Sequence, residues 1–294
     1  MPWLQVRVNT HRQDADAVED ALLAAGAVSV TLQDNADQPI LEPALGETPL
    51  WDETAISALF DAEVDTDLAS LAASRALGKE LPPHRWELLE DKDWEREWMN
   101  NYQPIHCGGE LWICPSWKEA PEPDATNLLL DPGLAFGTGT HPTTFMCLQW
   151  LSKQAPFSGQ SFVDYGCGSG ILGIAALLLG GSQVTGTDID PQALLATHDN
   201  ADRNKIDRAR FPVHLPQDCP EIQVDITLAN ILAGPLAELA PVLNGLTKPG
   251  GKLCLSGILD SQAETVMAAY QPWFDFDPIR QQQEWVCLTA TKRR

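Results

Sequence analysis

The fold of this chain is decided by the stretch Val163-Asp164-Tyr165-Gly166-Cys167-Gly168-Ser169-Gly170-Ile171-Leu172. An apolar run leads into an acid, three glycines alternate with small residues, and a second apolar run follows. This order predicts a strand, a tight loop and a helix. Glycine permits positive φ and lets a ligand lie against bare backbone, while the first amides of the helix point at the same space. We therefore interpret the stretch as a cradle for a nucleotide or nucleoside.

Two families of cradle compete for these residues. The dinucleotide pattern G-x-G-x-x-G is met by Gly168, Gly170 and Gly173. Asp188 lies roughly 20 residues after the loop, where a dinucleotide fold keeps its ribose-binding acid. With Asp164 two residues ahead of the first glycine, however, the string D-x-G-x-G-x-G resembles the first motif of S-adenosylmethionine-dependent methyltransferases. There the acid suits a cofactor that carries an ammonium and a sulfonium group, so the motif favours a methyltransferase and leaves a dehydrogenase as the alternative.

Length and composition indicate a globular protein of two domains. The chain has 294 residues, 44% of them apolar, with 22 prolines and 21 glycines spread along it, which argues against disorder. No segment approaches the roughly 18 uninterrupted apolar residues of a membrane span. The N-terminus lacks the basic start and apolar block of a signal peptide. We therefore expect a cytoplasmic protein without a membrane partner.

Charge and cysteine content narrow the partners further. The formal net charge is −22 and the pI about 4.4, so a basic partner is attracted and nucleic acid is repelled, unless the acidity only maintains solubility. We expect no direct contact with nucleic acid. The seven cysteines form no C-x-x-C pair and no His/Cys spacing suited to zinc, so they predict buried thiols and no metal site.

The first 90 residues predict a small α+β domain. Alternating apolar residues indicate strands over 2–9, 28–33, 56–64 and 85–89. An aspartate can cap each intervening helix: Asp14 or Asp16 the first, Asp65 or Asp67 the second. The order βαββαβ resembles a ferredoxin-like module. With 5 basic and 17 acidic residues, a net charge of −12, domain 1–90 is interpreted as a substrate-recognition domain, the alternative being a structural cap.

A charged segment separates this domain from the rest of the chain. Trp94 and Trp98 lie four residues apart in it and would share one face of a helix. We predict a helical linker over 91–103, followed by a catalytic domain over 104–294.

A second informative segment, Asp131–Thr144, lies shortly before the glycine cradle. It is dense in glycine and threonine, and Pro142 suits the N-terminus of the helix that follows. Free amides and hydroxyls at such an end can hold a carboxylate, which S-adenosylmethionine carries. For His141 in the same segment, a structural hydrogen bond is favoured over a chemical role.

The chain after the cradle predicts the remaining strands of an open α/β sheet. They cover 183–188, 211–215, 224–232 and 252–258, followed by 274–279 and 284–290. Proline and two glycines predict a turn at 248–251, directly before the strand over 252–258. Asn230 lies at the carboxyl end of its strand, the edge where such sheets bind ligands. The final two strands lack a helix between them, which implies an antiparallel last strand. The predicted fold is therefore a seven-stranded Rossmann-like class I methyltransferase domain, preceded by the ferredoxin-like domain.

Several motifs taken together carry a closer resemblance. D-P-G-L-A-F-G-T-G-T-H-P-T-T, V-D-Y-G-C-G-S-G-I-L, T-D-I-D-P and A-N-I-L-A-G-P-L follow one another behind the linker D-K-D-W-E-R-E-W. In this respect the whole chain resembles the bacterial methyltransferases of large-subunit ribosomal protein eleven. The resemblance implies S-adenosylmethionine as cofactor. It implies contacts to that cofactor from Thr144, Gly166, Asp188 and Asn230, with Phe136, Thr138, Gly168 and Gly170 lining the same pocket.

The resemblance also implies the reaction, which is methyl transfer to lysine side chains and an N-terminal amine of that basic ribosomal protein, grasped by the first domain. Enzymes that methylate planar nitrogens usually carry Asn/Asp-Pro-Pro-Tyr/Phe, whereas this chain has Asn230-Ile231-Leu232-Ala233. An aliphatic amine, once deprotonated from a pKa of about 10.4, has a lone pair available for in-line attack. An apolar wall at Ile231 and Leu232 would favour the neutral amine. No residue stands out as a general base.

Two other functions stay open at this point. An RNA or small-molecule methyltransferase is the second hypothesis, and a basic patch around the pocket would favour it. A non-catalytic ribosome-binding factor that retains the cofactor site is the third.

Overall fold

The computed structural model describes residues 2–36, 49–89, 102–131 and 137–294. The chain divides into two compact units, Met1–Met99 and Asn100–Arg294. The linker helix predicted around Trp94 and Trp98 and the cofactor contact predicted at Phe136 lie outside the described residues. Among the helices that are described, none is long and apolar enough to cross a membrane.

The first unit contains a four-stranded antiparallel sheet and two helices. Its described elements are β1 Trp3–His11, α1 Arg12–Ala24, β2 Ser29–Asp34, β3 Glu53–Asp61, α2 Thr66–Leu77 and β4 His84–Leu89. They follow the predicted order along the chain, and the strands lie side by side as β2-β3-β1-β4. Val8 and Phe60 of the sheet pack with Val18 of α1 and Ala73 of α2. Sheet and helices therefore share one core.

The two helices of this unit begin differently. Asp65 is the N-cap of α2, and its carboxylate accepts hydrogen bonds from two backbone amides of the first turn at 3.0 and 3.1 Å. The cap predicted for α1 at Asp14 or Asp16 is wrong, because α1 begins at Arg12 and His11 makes no side-chain cap bond. The strand β1 runs directly into α1. Both aspartates therefore already lie inside the helix.

The second unit contains the larger sheet. Its elements are β5 Ile105–His106, β6 Leu111–Cys114, β7 Thr126–Leu129, α3 Pro142–Gln154, β8 Ser161–Tyr165, α4 Ile171–Leu178, β9 Gln183–Thr187, α5 Pro191–Arg203, β10 Val213–His214, β11 Val224–Asn230, α6 Ala233–Glu238, α7 Ala240–Leu246, β12 Thr247–Leu259, α8 Ala263–Tyr270, β13 Phe274–Phe276, β14 Arg280–Gln282 and β15 Trp285–Lys292. In the described part of the chain, one mixed sheet has the order β10-β9-β8-β11-β12-β15-β13, with β14 paired to β15 off this path. The five neighbouring strands β10, β9, β8, β11 and β12 all run parallel to one another. The predicted antiparallel last strand is confirmed in β15.

Helices cover both faces of the mixed sheet. Leu228 and Cys254 pack with residues of α3, α4 and α5, whereas their neighbours Ala229 and Leu255 pack with α6, α7 and α8. Successive residues of a strand face opposite sides, so both kinds of position are buried. This explains why the parallel strands read as continuous apolar runs.

Two predicted elements differ from the structure. The turn expected at 248–251 lies inside β12, where the pairing with β11 jumps from Val224–Thr247 to Ile226–Lys252. These residues form a bulge within a longer strand, with Gly250 at φ 76°. The single strand expected over 274–279 is replaced by β13 and β14, which both pair with β15.

The chain order of the strands reverses between β8 and β11. From β8 the chain moves outward to β9 and β10, and it then returns to the other side of β8 as β11. The connections that leave these two neighbouring strands diverge, which opens a crevice at their carboxyl ends. The glycine loop and Asn230 both lie at this edge.

Candidate functional site

The loop between β8 and α4 is built on glycine. Gly166, Gly168 and Gly170 have φ of 77°, 54° and 78°, a range that other residues rarely adopt. A Cβ on Gly170 would lie 2.8 Å from Cγ2 of Thr197, and one on Gly166 would overlap the side chain of Ile231. Side chains are therefore excluded from the loop by backbone conformation and by close packing, and its bare backbone lies at the carboxyl edge of the sheet.

Asp188 holds this loop from the end of β9. Its Oδ2 accepts a hydrogen bond from the backbone N–H of Gly168 at 2.9 Å, and its Oδ1 accepts one from the N–H of Asp190 at 3.0 Å. The first two loop amides donate to the carbonyl of Thr187 at 2.7 and 2.9 Å. Part of the loop's donor capacity is therefore used within the protein. Each carboxylate oxygen of Asp188 keeps a further lone pair that can accept from a ligand hydroxyl.

Asp164, the acid that opens the motif, is almost fully buried. It is 1% exposed, and its Oδ2 accepts a hydrogen bond from the N–H of Gly173 in α4 at 2.9 Å. The pKa of this carboxyl is raised to about 8, mainly by burial. The hydrogen bond from Gly173 lowers the pKa, and the nearby charge of Asp188 raises it. The side chain ties β8 to α4 directly beneath the glycine loop.

The start of α3 lies against the end of β11. His141 is the N-cap residue, and Pro142 follows in the first helical turn, as predicted. The His141 ring nitrogen Nδ1 lies 2.8 Å from Oγ1 of Thr143. Thr144 is fully buried, and its hydroxyl oxygen accepts a hydrogen bond from Nδ2 of Asn230 at 3.0 Å. Two residues 86 apart in the chain are thereby joined, and both were predicted to contact the cofactor.

Asn230 presents an unsatisfied acceptor. Its Oδ1 is buried, and no residue in the described part of the chain donates a hydrogen bond to it. Buried polar atoms normally have a partner, and leaving one unpaired costs roughly 1–3 kcal/mol. A ligand donor at this position would remove that cost.

An apolar cavity of about 300 Å³ adjoins Asn230. It is lined by His141, Thr143, Asn230, Ile231, Leu232, Gly257 and Trp285. The rings of His141 and Trp285 meet edge to face, with centroids 5.0 Å apart. Burial lowers the pKa of His141, although the charge of Glu284 acts in the opposite direction. The cavity thus combines apolar walls with a neutral imidazole, and Asn230 is one of its lining residues.

The glycine- and threonine-rich segment before α3 reaches the same loop. The hydroxyl of Ser169, inside the glycine loop, donates to the carbonyl of Gly137 at 2.7 Å. Thr138 is half-buried, with its hydroxyl oxygen 3.1 Å from that of Thr140. The structure therefore brings the described end of this segment against the cradle.

Sequence reasoning missed Gly257 and Trp285 at this site. A Cβ on Gly257 would overlap the backbone carbonyl of Ile231, so glycine allows β12 to approach the residue after Asn230. Trp285 begins β15, and only the antiparallel return of that strand brings its ring to His141. Neither position carries a local sequence signal, since each depends on which strands become neighbours.

Comparisons with known proteins agree with this geometry. A family model described as ribosomal protein L11 methyltransferase (PrmA) matches residues 2–293. A protein of that name from Cellvibrio japonicus is 67% identical over 294 residues, which cover 100% of both chains. Another from Teredinibacter turnerae is 59% identical over 293 residues, 100% of this chain and 98% of its own.

A solved structure is similar over about two thirds of the chain. The ribosomal protein L11 methylase from Lactobacillus delbrueckii subsp. bulgaricus is 31% identical, with a TM-score of 0.58 over 66% of this chain and 100% of that chain. This similarity and the strand order together show an α/β methyltransferase fold with a mixed sheet.

Proposed function

The chain belongs to the ribosomal protein L11 methyltransferase family, and from this premise we propose that it transfers methyl groups from S-adenosylmethionine to amines of ribosomal protein L11. The observation that carries the proposal is the buried, unpartnered Oδ1 of Asn230, which adjoins an apolar cavity at the carboxyl edge of the sheet. An amine donor in that cavity would satisfy this oxygen.

Cofactor binding is assigned to the residues around the glycine loop. Thr144, Gly166, Asp188 and Asn230 contact S-adenosylmethionine, and Phe136, Thr138, Gly168 and Gly170 line the same pocket. The fit is supported by the close packing that leaves no room for a Cβ at Gly166 or Gly170. It is also supported by the lone pairs of Asp188, which suit ribose hydroxyls, and by the amides at the start of α3, which suit a carboxylate. When bound, the cofactor supplies an electrophilic methyl group on a sulfonium.

The acceptor is an aliphatic amine, from lysine side chains and the N-terminus of the substrate protein. Asn230 accepts a hydrogen bond from the amine nitrogen and thereby orients its lone pair. The apolar walls at Ile231 and Leu232 lower the pKa of the entering ammonium from about 10.4, because burial penalises its charged form. The neutral imidazole of His141 adds no positive charge that would repel the ammonium. Positioning and desolvation supply most of the rate acceleration, and the proton passes to water.

The first unit is proposed to recognise the substrate. We assign residues 1–90 to a ferredoxin-like domain, 91–103 to a linker and 104–294 to a seven-stranded class I methyltransferase domain in which β14 is an addition. Five basic and 17 acidic residues give domain 1–90 a net charge of −12, which attracts a basic ribosomal protein. Because ribosomal proteins are made in the cytoplasm, the enzyme acts there.

The test compares two asparagines. Asn230→Ala removes the acceptor beside the cavity, and we expect it to lower the rate of radiolabel transfer from S-adenosylmethionine to L11 roughly 5- to 150-fold, since a lost polar partner costs about 1–3 kcal/mol. Asn244→Ala is the matched control, because Asn244 in α7 also has a buried Oδ1 without a partner among the described residues. Equal losses in both variants, with both folded, would contradict the assignment.

A further inference from the structure

Three buried cysteines meet in the core of the second unit. Cys147 lies on α3, Cys254 on β12 and Cys287 on β15, and each is fully buried. The Sγ of Cys254 lies 3.8 Å from that of Cys147 and 3.6 Å from that of Cys287. All three sulfurs lie within 4.8 Å of one another. Their separations in the chain are 107 and 33 residues, so no local motif announces the cluster.

The spacing of the sulfurs suits a single thiophilic ion. With metal–sulfur bonds of about 2.3 Å, three sulfurs in a plane around one ion lie roughly 4 Å apart. Structural zinc sites are almost always four-coordinate, whereas only these three side chains form the ligand group among the described residues. Three thiol ligands in a dry interior select monovalent copper, which prefers soft thiolates.

A cation stands beside the cluster. Arg280 on β14 pairs in register with Cys287 on β15. Its guanidinium is held by hydrogen bonds to the carbonyl of Met146 at 3.3 Å and to Oε1 of Gln149 at 3.1 Å.

We propose that Cys147, Cys254 and Cys287 form a buried binding site for one monovalent copper ion. Three copper–sulfur bonds form, two thiols release their protons to solvent, and the third sulfur binds as a thiol. No atom changes oxidation state. The charges of the ion and Arg280 together balance the two thiolates, so the occupied site is neutral, as a dry interior requires.

A copper ion bound to the three cysteines would connect α3, β12 and β15, which also contribute residues to the apolar cavity beside Asn230. Cys147 follows Thr144 on α3, Cys254 precedes Gly257 on β12, and Cys287 follows Trp285 on β15. A bound ion would therefore stabilise the folded state by mass action. The proposal does not depend on the methyl-transfer reaction.

The test is anaerobic titration of the reduced full chain with copper(I), supplied as its acetonitrile complex, in competition with a colorimetric copper(I) chelator. All variants carry Cys219→Ser, because Cys219 is the half-buried thiol and could bind copper unspecifically. We expect one ion per chain and a rise in Tm on loading. Cys254→Ala should weaken binding at least 100-fold and abolish the rise in Tm.

Cys107→Ala is the matched control, since Cys107 is equally buried but directly follows β5, which belongs to a separate three-stranded sheet in the order β5-β6-β7. It should bind copper(I) with the same stoichiometry and affinity as the parent chain, which carries Cys219→Ser alone. Circular dichroism checks the fold, and Cys147→Ala and Cys287→Ala provide independent deletions if Cys254→Ala unfolds. Copper binding that survives all three deletions, or a parent chain that retains no copper against the chelator, would overturn the proposal. Preferential retention of zinc would overturn the assignment to copper.

Discussion

At the level of single residues, Asp188 has one observed task and one proposed task. It shapes the glycine loop through the N–H of Gly168, and its remaining lone pairs suit ribose hydroxyls. Asp188→Asn keeps one side-chain oxygen for the loop but loses the charge and an acceptor. We predict that it raises the Kd for S-adenosylmethionine about tenfold, equivalent to 1.4 kcal/mol, measured by isothermal titration calorimetry.

The control for this prediction is Asp190→Asn. Asp190 is the N-cap of α5 and accepts a hydrogen bond from the N–H of Gln192 at 2.8 Å. Its amide variant should leave the Kd for S-adenosylmethionine within about twofold. If it weakened cofactor binding as much as Asp188→Asn, the effect would come from charge or helix capping rather than from the ribose contact.

Asp164 makes the stability of the fold depend on pH. Its pKa is raised to about 8 in the folded chain, against an ordinary value near 3.9 when unfolded. Below about 4 both states hold the proton and the group's stabilising contribution is fully present. As pH rises the unfolded state loses the proton first, so stability falls through the window from 4 to 8 and the contribution is lost above 8. The fall per pH unit is at most about 1.4 kcal/mol.

Asp164→Asn should remove this part of the pH dependence, because an amide does not titrate. Urea denaturation of both proteins at several pH values measures it, and the difference between them isolates the group from other titrations. The variant should gain stability relative to wild type as the pH rises from 5 to 8. A constant difference across this range would show that the carboxyl ionises normally in the folded state.

Among the helices, the different starts of α1 and α2 predict different losses of stability when an aspartate near each start is replaced. Asp65→Ala removes the acceptor for two amides at the start of α2 and should lower the free energy of unfolding by about 1 kcal/mol. Asp16 lies inside α1 and is exposed. Asp16→Ala should therefore change the free energy of unfolding by less than about 0.5 kcal/mol. Urea denaturation compares them, and a larger loss from Asp16→Ala would contradict the observed start of α1.

Local sequence predicted most elements that position the site. The glycine loop, the start of α3 at Pro142 and the strand that ends at Asn230 follow from patterns within about ten residues, and the structure contains each of them. These features depend on backbone conformation and strand alternation, which short segments encode. The cofactor contacts assigned to them remain predictions.

Features that depend on distant neighbours were not predicted. The sequence predicts a turn where β12 has its bulge, because proline and glycine are typical of turns and of bulges alike. Trp285 and the three clustered cysteines converge only once β15 returns antiparallel to β12. The cap of α1 was misplaced since nothing in the sequence shows that β1 continues into the helix without a loop.

At the scale of the whole molecule, charge links the two units' proposed tasks. The first 90 residues carry −12 of the net charge of −22. If they attract a basic substrate, raising the salt from 50 to 300 mM should raise KM for L11 severalfold and leave kcat nearly unchanged, since screening acts on exposed charges. Steady-state kinetics measure both. The Kd for S-adenosylmethionine, measured in parallel, should change much less, and a salt-independent KM would contradict the proposed recognition role.

Methyl transfer to ribosomal protein L11 is tested most directly by asking which molecule receives the methyl group. The purified chain is incubated with radiolabelled S-adenosylmethionine and, separately, with free large-subunit ribosomal proteins, ribosomal RNA and small amines. We predict label on amines of L11, strongly reduced in Asn230→Ala and retained in Asn244→Ala. Label on RNA alone, or on small amines but no ribosomal protein, would contradict the account.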